Sequence, residues 1–209
     1  MSHTLHRQGS DESISKDFVV LSRVAEEVNR TGSKEQLEKF VRLGYEHNPA
    51  NLGNHQGNMY AKTYEEICGN IIDGRGSNIV FSSREDLKAY LKDLQAIHYS
   101  ISVTVSGMTD IVKEVAEECG IKLHSISMSL GVFGNVKRLP DKEILAITTM
   151  CGHHQVSPGL VSDVMEKVKS GKLTPHEGAL KVAAPCPCGV LNARRAEEIF
   201  ADMLQQKDF

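Results

Sequence analysis

The chain has no tryptophan, and aromatic residues make up only 5% of its 209 residues. It also lacks an excess of positive charge, since the formal net charge is −3 and 24% of the residues are charged. Proteins that bind nucleic acids usually present a basic surface and aromatic side chains that stack on bases. The composition therefore argues against a nucleic-acid partner.

Long apolar runs are absent as well. No stretch approaches the roughly 20 apolar residues that a membrane-spanning helix needs. The first 30 residues are polar and lack the apolar core of a secretion signal. We therefore expect a cytoplasmic protein without a membrane partner. A chain of this length can bury a sizeable core, which favours one large domain or one domain with an appendage.

The chain contains five cysteines, an odd number. In the cytoplasm thiols stay reduced, so these cysteines are interpreted as metal ligands, catalytic thiols or buried residues. Cys68 lies in a predicted helix and Cys119 precedes a helix-ending glycine, so both are interpreted as small packed residues. The remaining three, Cys151, Cys186 and Cys188, lie in more distinctive surroundings.

Cys186 and Cys188 are separated by one residue in the sequence P-C-P-C-G. The prolines stiffen this stretch and the glycine permits a tight turn, in which both thiols can face one metal. Cys151 begins a C-G-H-H motif, which adds a third thiol and the imidazoles of His153 and His154. Thiolate and imidazole are the ligands of zinc and of iron–sulfur clusters, so the pattern indicates a metal centre.

Two predicted helices separate these motifs. A Ser-Pro start predicts a helix to residue 169, and a Thr-Pro-His-Glu start predicts a second helix to residue 183. If the two form an antiparallel helical hairpin, Cys151 and Cys186 lie at the same end of it. We therefore expect the three cysteines to share one metal centre, with His153 as a candidate fourth ligand.

Three hypotheses follow from this cysteine cluster. Three cysteines with an open or histidine-filled fourth position suit a [4Fe–4S] cluster, and the uncharged flanking residues favour this first hypothesis. Three cysteines and one histidine equally suit structural zinc, which would staple a non-catalytic module that binds a ligand or a partner. A thiol oxidoreductase using Cys186 and Cys188 is the second alternative.

Catalysis at such a centre would require groups that move protons and position a substrate. The candidate catalytic residues are His153, His154 and His55, the last in an Asn- and Gly-rich loop predicted over residues 48–58. The partner would be a small-molecule substrate, with a role in sulfur or redox metabolism, or a protein. In the competing interpretation, one histidine binds the metal and the others are only exposed.

Helices and strands alternate through the middle of the chain. Strands are predicted over residues 18–21, 79–81, 99–106 and 125–130, and helices over 34–46, 64–72, 84–96 and 109–119. The order from residue 79 is β-α-β-α-β, which is typical of parallel neighbouring strands. Apolar residues alternate with serine and threonine in the last two strands, so helices are expected mainly on one face. The predicted fold class is α/β, a two-layer sheet domain of the ferredoxin-like type.

The predicted organisation has three parts. Residues 1–17 form a flexible arm, residues 18–139 form the α/β domain, and residues 140–209 form a helical metal-binding module packed on that domain. The helical hairpin and the cysteine cluster belong to the last part. His3 and His6 in the arm are interpreted as solvated residues.

Overall fold

The computed structural model describes residues 4–205, which form a mixed α/β structure; His3 lies outside this range. The strands are β1 Phe18–Arg23, β2 Asn51–Asn54, β3 Gly57–Asn58, β4 Ser77–Phe81 and β5 Ser102–Ser106. The helices are α1 Asp11–Ile14, α2 Ser33–Glu46, α3 Tyr64–Gly69, α4 Arg84–Ala96, α5 Thr109–Glu118, α6 Lys142–Thr148, α7 Pro158–Lys169, α8 Pro175–Ala183 and α9 Ala193–Gln205. None of the helices within residues 4–205 is both long enough and apolar enough to cross a membrane.

The five strands form one sheet in the order β3-β2-β4-β1-β5, and all neighbouring strands in it are antiparallel. β1 lies between β4 and β5, with Phe18 opposite Phe81 on one side and Val19 opposite Ser106 on the other. Residues 18–22 of β1 are fully buried. The apolar run at the start of this strand therefore became an inner strand of the sheet.

The expectation of parallel neighbours is wrong. β4 and β5 do run in the same direction, as the crossover through α4 requires, but β1 lies between them. β1 and β2 are related in the same way, with β4 between them. A helical crossover determines the direction of the returning strand, whereas adjacency depends on which distant strand occupies the intervening position.

The strand predicted over residues 125–130 is not formed. Residues 122–139 are exposed, and the exposed fractions of Ile126, Met128 and Leu130 reach 51%, 70% and 88%. The alternating pattern is local, but a strand also needs a neighbouring strand to bind its backbone groups. This long-range requirement explains why the pattern alone was misleading.

The region predicted as a loop, residues 48–58, contains the small hairpin of β2 and β3. Its asparagines Asn51, Asn54 and Asn58 are buried, although asparagine is normally a residue of exposed turns. Their amide groups find partners on the backbone of distant segments. Because those partners are far away in the sequence, local composition favoured a loop.

Alternate residues of β1 enter two separate cores. Phe18 and Val20 pack with apolar residues of α2, α4 and α5, whereas Val19 and Leu21 pack with apolar residues of α6 to α9. Helices therefore cover both faces of the sheet. The two-layer description applies to the part of the chain up to α5, and the C-terminal helices form a third layer.

The C-terminal helices begin at the capping signals seen in the sequence. Ser157 caps α7, whose first residue is Pro158, and Thr174 forms a capping box with Glu177 at the start of α8. α7 packs on α8, and α8 packs on α9 around the buried side chain of Phe200. This packing gives the third layer its own core against the sheet.

The described part of the N-terminal arm, residues 4–17, is bonded to this third layer. Arg7 donates hydrogen bonds to the carboxylate of Asp17, to the carbonyl of Val190 and, at 3.2 Å, to the carbonyl of Met150. Arg195 of α9 donates to Asp17 from the other side at 2.8 Å. The arm thus reaches the backbone next to both cysteine motifs.

Candidate functional site

The structure brings together the three cysteines of the C-terminal segment. Cys151 follows α6, while Cys186 and Cys188 lie in the connection between α8 and α9. The thiol of Cys186 interacts directly with the thiols of both Cys151 and Cys188. Cys151 and Cys186 are fully buried, and Cys188 is 7% exposed. The cluster therefore lies inside the core between the sheet and the C-terminal helices.

The turn that carries Cys186 and Cys188 lies directly on strand β2. Gly189 has a φ of +69°, and a Cβ atom there would lie 2.4 Å from the carbonyl carbon of Leu52. A Cβ atom on Gly53 would likewise lie 3.0 Å from the carbonyl oxygen of Pro187. Glycine on both sides permits this backbone-to-backbone contact, which positions the thiols against the sheet.

Three buried asparagine side chains attach the cysteine turn to the sheet. The side-chain amide of Asn58 donates to the carbonyl of Cys186 at 2.7 Å, and that of Asn78 donates to the carbonyl of Cys188 at 2.7 Å. The side-chain amide of Asn51 donates to the carbonyl of Leu191 at 2.8 Å. All three acceptor residues are buried, and the carbonyl of Cys186 also accepts a hydrogen bond from the N–H of Gly189 at 3.1 Å. The role of these asparagines was not predicted from the sequence, because Asn51 and Asn58 lie in the loop predicted over residues 48–58 and Asn78 directly precedes a predicted strand.

Backbone N–H groups near the three sulfur atoms act to lower the pKa of each thiol. The donors are Gln155 and Val156 for Cys151, Leu191 for Cys186, and Val190 for Cys188. Hydrogen bonds from N–H groups stabilise a thiolate more than a neutral thiol. The two loops are therefore folded so that their backbones favour negative charge on sulfur.

The three thiols differ in their acidity. The hydrogen bond to Cys186, together with burial, raises the pKa of the Cys151 thiol far above its ordinary value. Cys151 lowers the pKa of Cys186, but Cys188 and burial raise it more, to about 12. The pKa of Cys188 is lowered, chiefly by the hydrogen bond from Cys186. Of the three, Cys188 is thus the thiol that most readily carries the negative charge.

Two basic side chains face Cys188. The Nδ1 atom of His153 lies 3.5 Å from its sulfur, and the charge of Arg23 also lowers the pKa of this thiol. Arg23 ends β1 and donates to the carbonyls of Ser22 and Ser77 at 2.7 and 3.3 Å. Arg23 was not expected from the sequence, because only the sheet brings β1 beside residue 188.

The other candidate histidines lie elsewhere on the surface. His55 is exposed in the turn between β2 and β3, where its Nε2 atom lies 3.2 Å from Nε2 of Gln56. Burial and the charge of Arg75 lower its pKa. His154 is exposed, with a φ of +56°. Of the three candidate catalytic histidines, His153 is the one with a described contact to the cysteine cluster.

The cysteine and histidine side chains are not arranged as a metal-binding site in this structure. Among the residues from 4 to 205, no three or more His, Cys, Asp and Glu side chains are placed so that they could hold a metal ion. The thiols of Cys151, Cys186 and Cys188 instead form a series of pairwise contacts that continues to His153. The described geometry is that of interacting thiols, and metal binding would require these side chains to turn toward a common point.

The two remaining cysteines lie outside this cluster. Cys119 is 9% exposed in the core beneath α4 and α5, where its sulfur lies 3.7 Å from the carbonyl oxygen of Lys88. Cys68 is half-buried beside Tyr64. Burial raises the pKa of both thiols. Both positions agree with their interpretation as small packed residues.

Two surface clefts lie apart from the cysteines. One, of about 380 Å³, is lined by residues of α6, α7 and α9, including Glu143 and Met165. The other, of about 350 Å³, lies beside α2 and includes Arg42. None of the three clustered cysteines lines either cleft.

Comparison of the chain with protein-family models, with curated proteins and with solved structures finds no significant match in any of the three.

Proposed function

We propose that the chain is a metal-binding protein in which Cys151, Cys186 and Cys188 are ligands and His153 or an open position completes the site. The observation that carries this proposal is the cluster of three buried cysteines in one core, each with backbone N–H donors that act to lower its pKa. Three neutral thiols would gain little from such donors, whereas three metal-bound thiolates would gain from all of them.

A [4Fe–4S] cluster is the cofactor we propose first. Apolar residues surround the three cysteines, among them Met150, Val156 and Val190, and would shield a cluster from water. If bound with an open iron, the cluster would supply Lewis acidity or electron transfer, for a small-molecule substrate in sulfur or redox metabolism. The protein's own part would be to neutralise charge through Arg23 and the N–H donors.

Zinc is the alternative cofactor, and the position of His153 favours it. Its Nδ1 atom lies 3.5 Å from the sulfur of Cys188, so a modest side-chain rotation would complete a three-cysteine, one-histidine site. Zinc would then staple the two cysteine loops together, and the protein would be a non-catalytic module that binds a ligand or a protein partner.

The first experiment is metal and sulfide analysis of protein purified without oxygen. We expect iron and sulfide with broad visible absorbance in the wild type, and loss of both in Cys186→Ser. Cys119→Ser, a buried cysteine in the other core, is the matched control and should keep its metal. Zinc without sulfide would refute the iron–sulfur hypothesis and support the zinc alternative. Wild-type protein with neither metal above the level of Cys186→Ser would refute the metal proposal.

A thiol oxidoreductase is the second candidate function. It is favoured by the lowered pKa of Cys188 and by the nearby imidazole of His153, which supplies the base that the sequence did not place. In such a reaction Cys186 and Cys188 would form a disulfide, giving two electrons and two protons to a disulfide partner. Rapid alkylation of Cys188 in metal-free protein, slowed in His153→Ala, would support this function; equal rates would refute it.

The remaining proposals concern the fold type, the division of the chain into parts and the cellular location. The two interleaved crossovers, β1-α2-β2 and β4-α4-β5, support the ferredoxin-like type for the sheet domain. The packing of α7 on α8 supports a helical hairpin within a metal-binding module of residues 140–209. We also retain the arm of residues 1–17, the domain of residues 18–139 and a cytoplasmic location as proposals, since reduced cysteines suit that compartment.

A further inference from the structure

Arg23 is half-buried at the end of β1, and it has no carboxylate partner in the part of the chain that the structure describes. Burial lowers the pKa of Arg23, and Cys188 is the one group whose charge raises it. The buried side chains of Arg7 and Arg195, by contrast, both pair with Asp17. Because burying an unpaired charge costs free energy, an arginine in this position is a candidate for binding an anion from solution.

The guanidinium group of Arg23 is held in one orientation. Its Nη1 atom donates to the carbonyls of Ser22 and Ser77 at 2.7 and 3.3 Å. A Cβ atom on Gly76 would lie 2.5 Å from this nitrogen and 2.5 Å from the carbonyl oxygen of Ser22, so glycine leaves the space in which the group lies. The Nε and Nη2 atoms donate no hydrogen bond to any residue from 4 to 205. Their N–H groups are parallel, and arginine uses such a pair to bind two oxygens of one anion.

The side chain of Arg23 lies on the same face of the sheet as the cysteine cluster. It is two residues from Leu21, which packs with the C-terminal helices, and its charge acts on Cys188. The surroundings are polar and open to water, since Ser102, opposite Arg23 in β5, and His153, 3.5 Å from the sulfur of Cys188, are both exposed. A small molecule bound to Arg23 would therefore lie beside the most acidic of the three thiols.

The charge and shape of this group match a carboxylate. Arg23 offers one positive charge and two parallel N–H donors, whereas a carboxylate offers one negative charge and two coplanar oxygens. A phosphate group carries more negative charge and three acceptor oxygens, and it usually requires further cations or several backbone donors. A single oriented guanidinium therefore fits a carboxylate better than a phosphate.

We propose that Arg23 binds a carboxylate group of the small-molecule substrate and so holds the rest of that molecule against Cys188. This role of Arg23 rests on the proposed function, because it names the substrate class for the same site, a small carboxylic acid. Two parallel hydrogen bonds fix the direction in which the substrate leaves Arg23, which is what positioning beside a reactive centre requires.

The test is the protection of Arg23 against phenylglyoxal, a reagent that modifies guanidinium groups, in the full chain purified without oxygen. Peptide mass spectrometry gives the rate of modification of each arginine in sodium acetate and in sodium chloride of equal ionic strength. We expect modification of Arg23 to become about fivefold slower as acetate approaches saturation, because bound acetate excludes the reagent. The exposed Arg138 is the matched control and should react equally in both salts.

Each result decides the proposal. Equal rates at Arg23 in acetate and in chloride overturn it. An Arg23 that reacts in neither salt also overturns it, because a site closed to this reagent is closed to a substrate. Sulfate at the same ionic strength should protect Arg23 less than acetate does, and equal protection would overturn the assignment to a carboxylate.

Failure of this role and failure of the proposed metal centre give different results. The rate of modification is measured at Arg23 itself, whether or not the protein contains a metal. Metal in the wild type together with an unprotected Arg23 overturns the carboxylate site alone. Acetate protection of Arg23 in a protein that contains neither iron nor zinc overturns the metal centre alone.

Discussion

Asp17 and Arg195, 178 residues apart in the chain, form a 2.8 Å ion pair in which both side chains are fully buried. Arg7 binds the same carboxylate, and Asn192 donates to it at 3.1 Å. Asp17 immediately precedes β1, so this group of residues connects the N-terminal arm, the sheet and α9. The contacts of Arg7 with the carbonyls of Met150 and Val190 extend the connection to the cysteine loops.

Asp17→Asn should therefore be strongly destabilising. Removing one partner of a buried ion pair leaves the other charge uncompensated, which costs about 3–5 kcal/mol. The control is Asp163→Asn, because Asp163 forms an exposed pair with Lys167 at 2.7 Å that contributes about 0.5 kcal/mol or less. Urea unfolding of the three proteins measures both differences. Equal stabilities of the two variants would contradict the structural role of Asp17.

The same carboxylate predicts a loss of stability in acid. Burial alone would raise the pKa of Asp17, but Arg7 and Arg195 outweigh this effect and hold the pKa below its ordinary value of 3.8. Because the folded pKa is the lower one, the stabilisation is present above the unfolded pKa and is lost as the pH falls through the folded pKa.

The measurement is the difference in the free energy of unfolding between the wild type and Asp17→Asn as a function of pH. We expect a constant difference between about pH 5 and pH 7, and a progressive decrease below about pH 4. A difference that stays constant or increases on acidification would show that Asp17 is not held ionised by the two arginines.

A methyl group at Gly189 should disturb the cysteine turn more than a methyl group at another left-handed glycine. Gly189→Ala places a Cβ atom 2.4 Å from the backbone of Leu52, whereas the space around Gly171, with a φ of +73°, is open within 4 Å. Both variants incur about 1–2 kcal/mol for the left-handed backbone. Gly189→Ala should cost a further ~1–3 kcal/mol for the steric overlap. Thermal or urea unfolding compares them, and equal losses would mean that the turn does not lie on β2.

Loss of the proposed metal should destabilise the layer of C-terminal helices and leave the sheet stable. A structural metal can contribute on the order of 10 kcal/mol, so Cys188→Ala or chelation should accelerate hydrogen exchange in residues 150–205 while sparing β1 and β4. Cys119→Ala, which removes a thiol from the core beneath α4 and α5, is the control and should not affect that segment. Uniform acceleration through the whole chain, or none, would argue against a locally metal-stabilised module.

Helix positions were largely predictable because their signals are local. Ser157 and Thr174 each accept a hydrogen bond from a backbone N–H three residues further on, and these caps were visible as the Ser-Pro and Thr-Pro-His-Glu motifs. The apolar stripes of α2 and α4 follow the helical period in the same way. Strand neighbours were not predictable, since the partner of β1 lies about 60 residues away and no local pattern selects it.

By itself, the sequence determined the mixed α/β class, most of the helix boundaries and the residues with metal-type chemistry, because propensity, capping and side-chain chemistry act over a few residues; the helix predicted over residues 64–72 ends earlier, at Gly69. Only the tertiary structure decided that β1 separates β4 from β5 and that residues 125–130 stay outside the sheet. It also decided that Asn58, Asn78 and Arg23 belong to the surroundings of the cysteines. These features depend on contacts between segments far apart in the chain, and their free energy is gained only when the sheet and the C-terminal helices pack together.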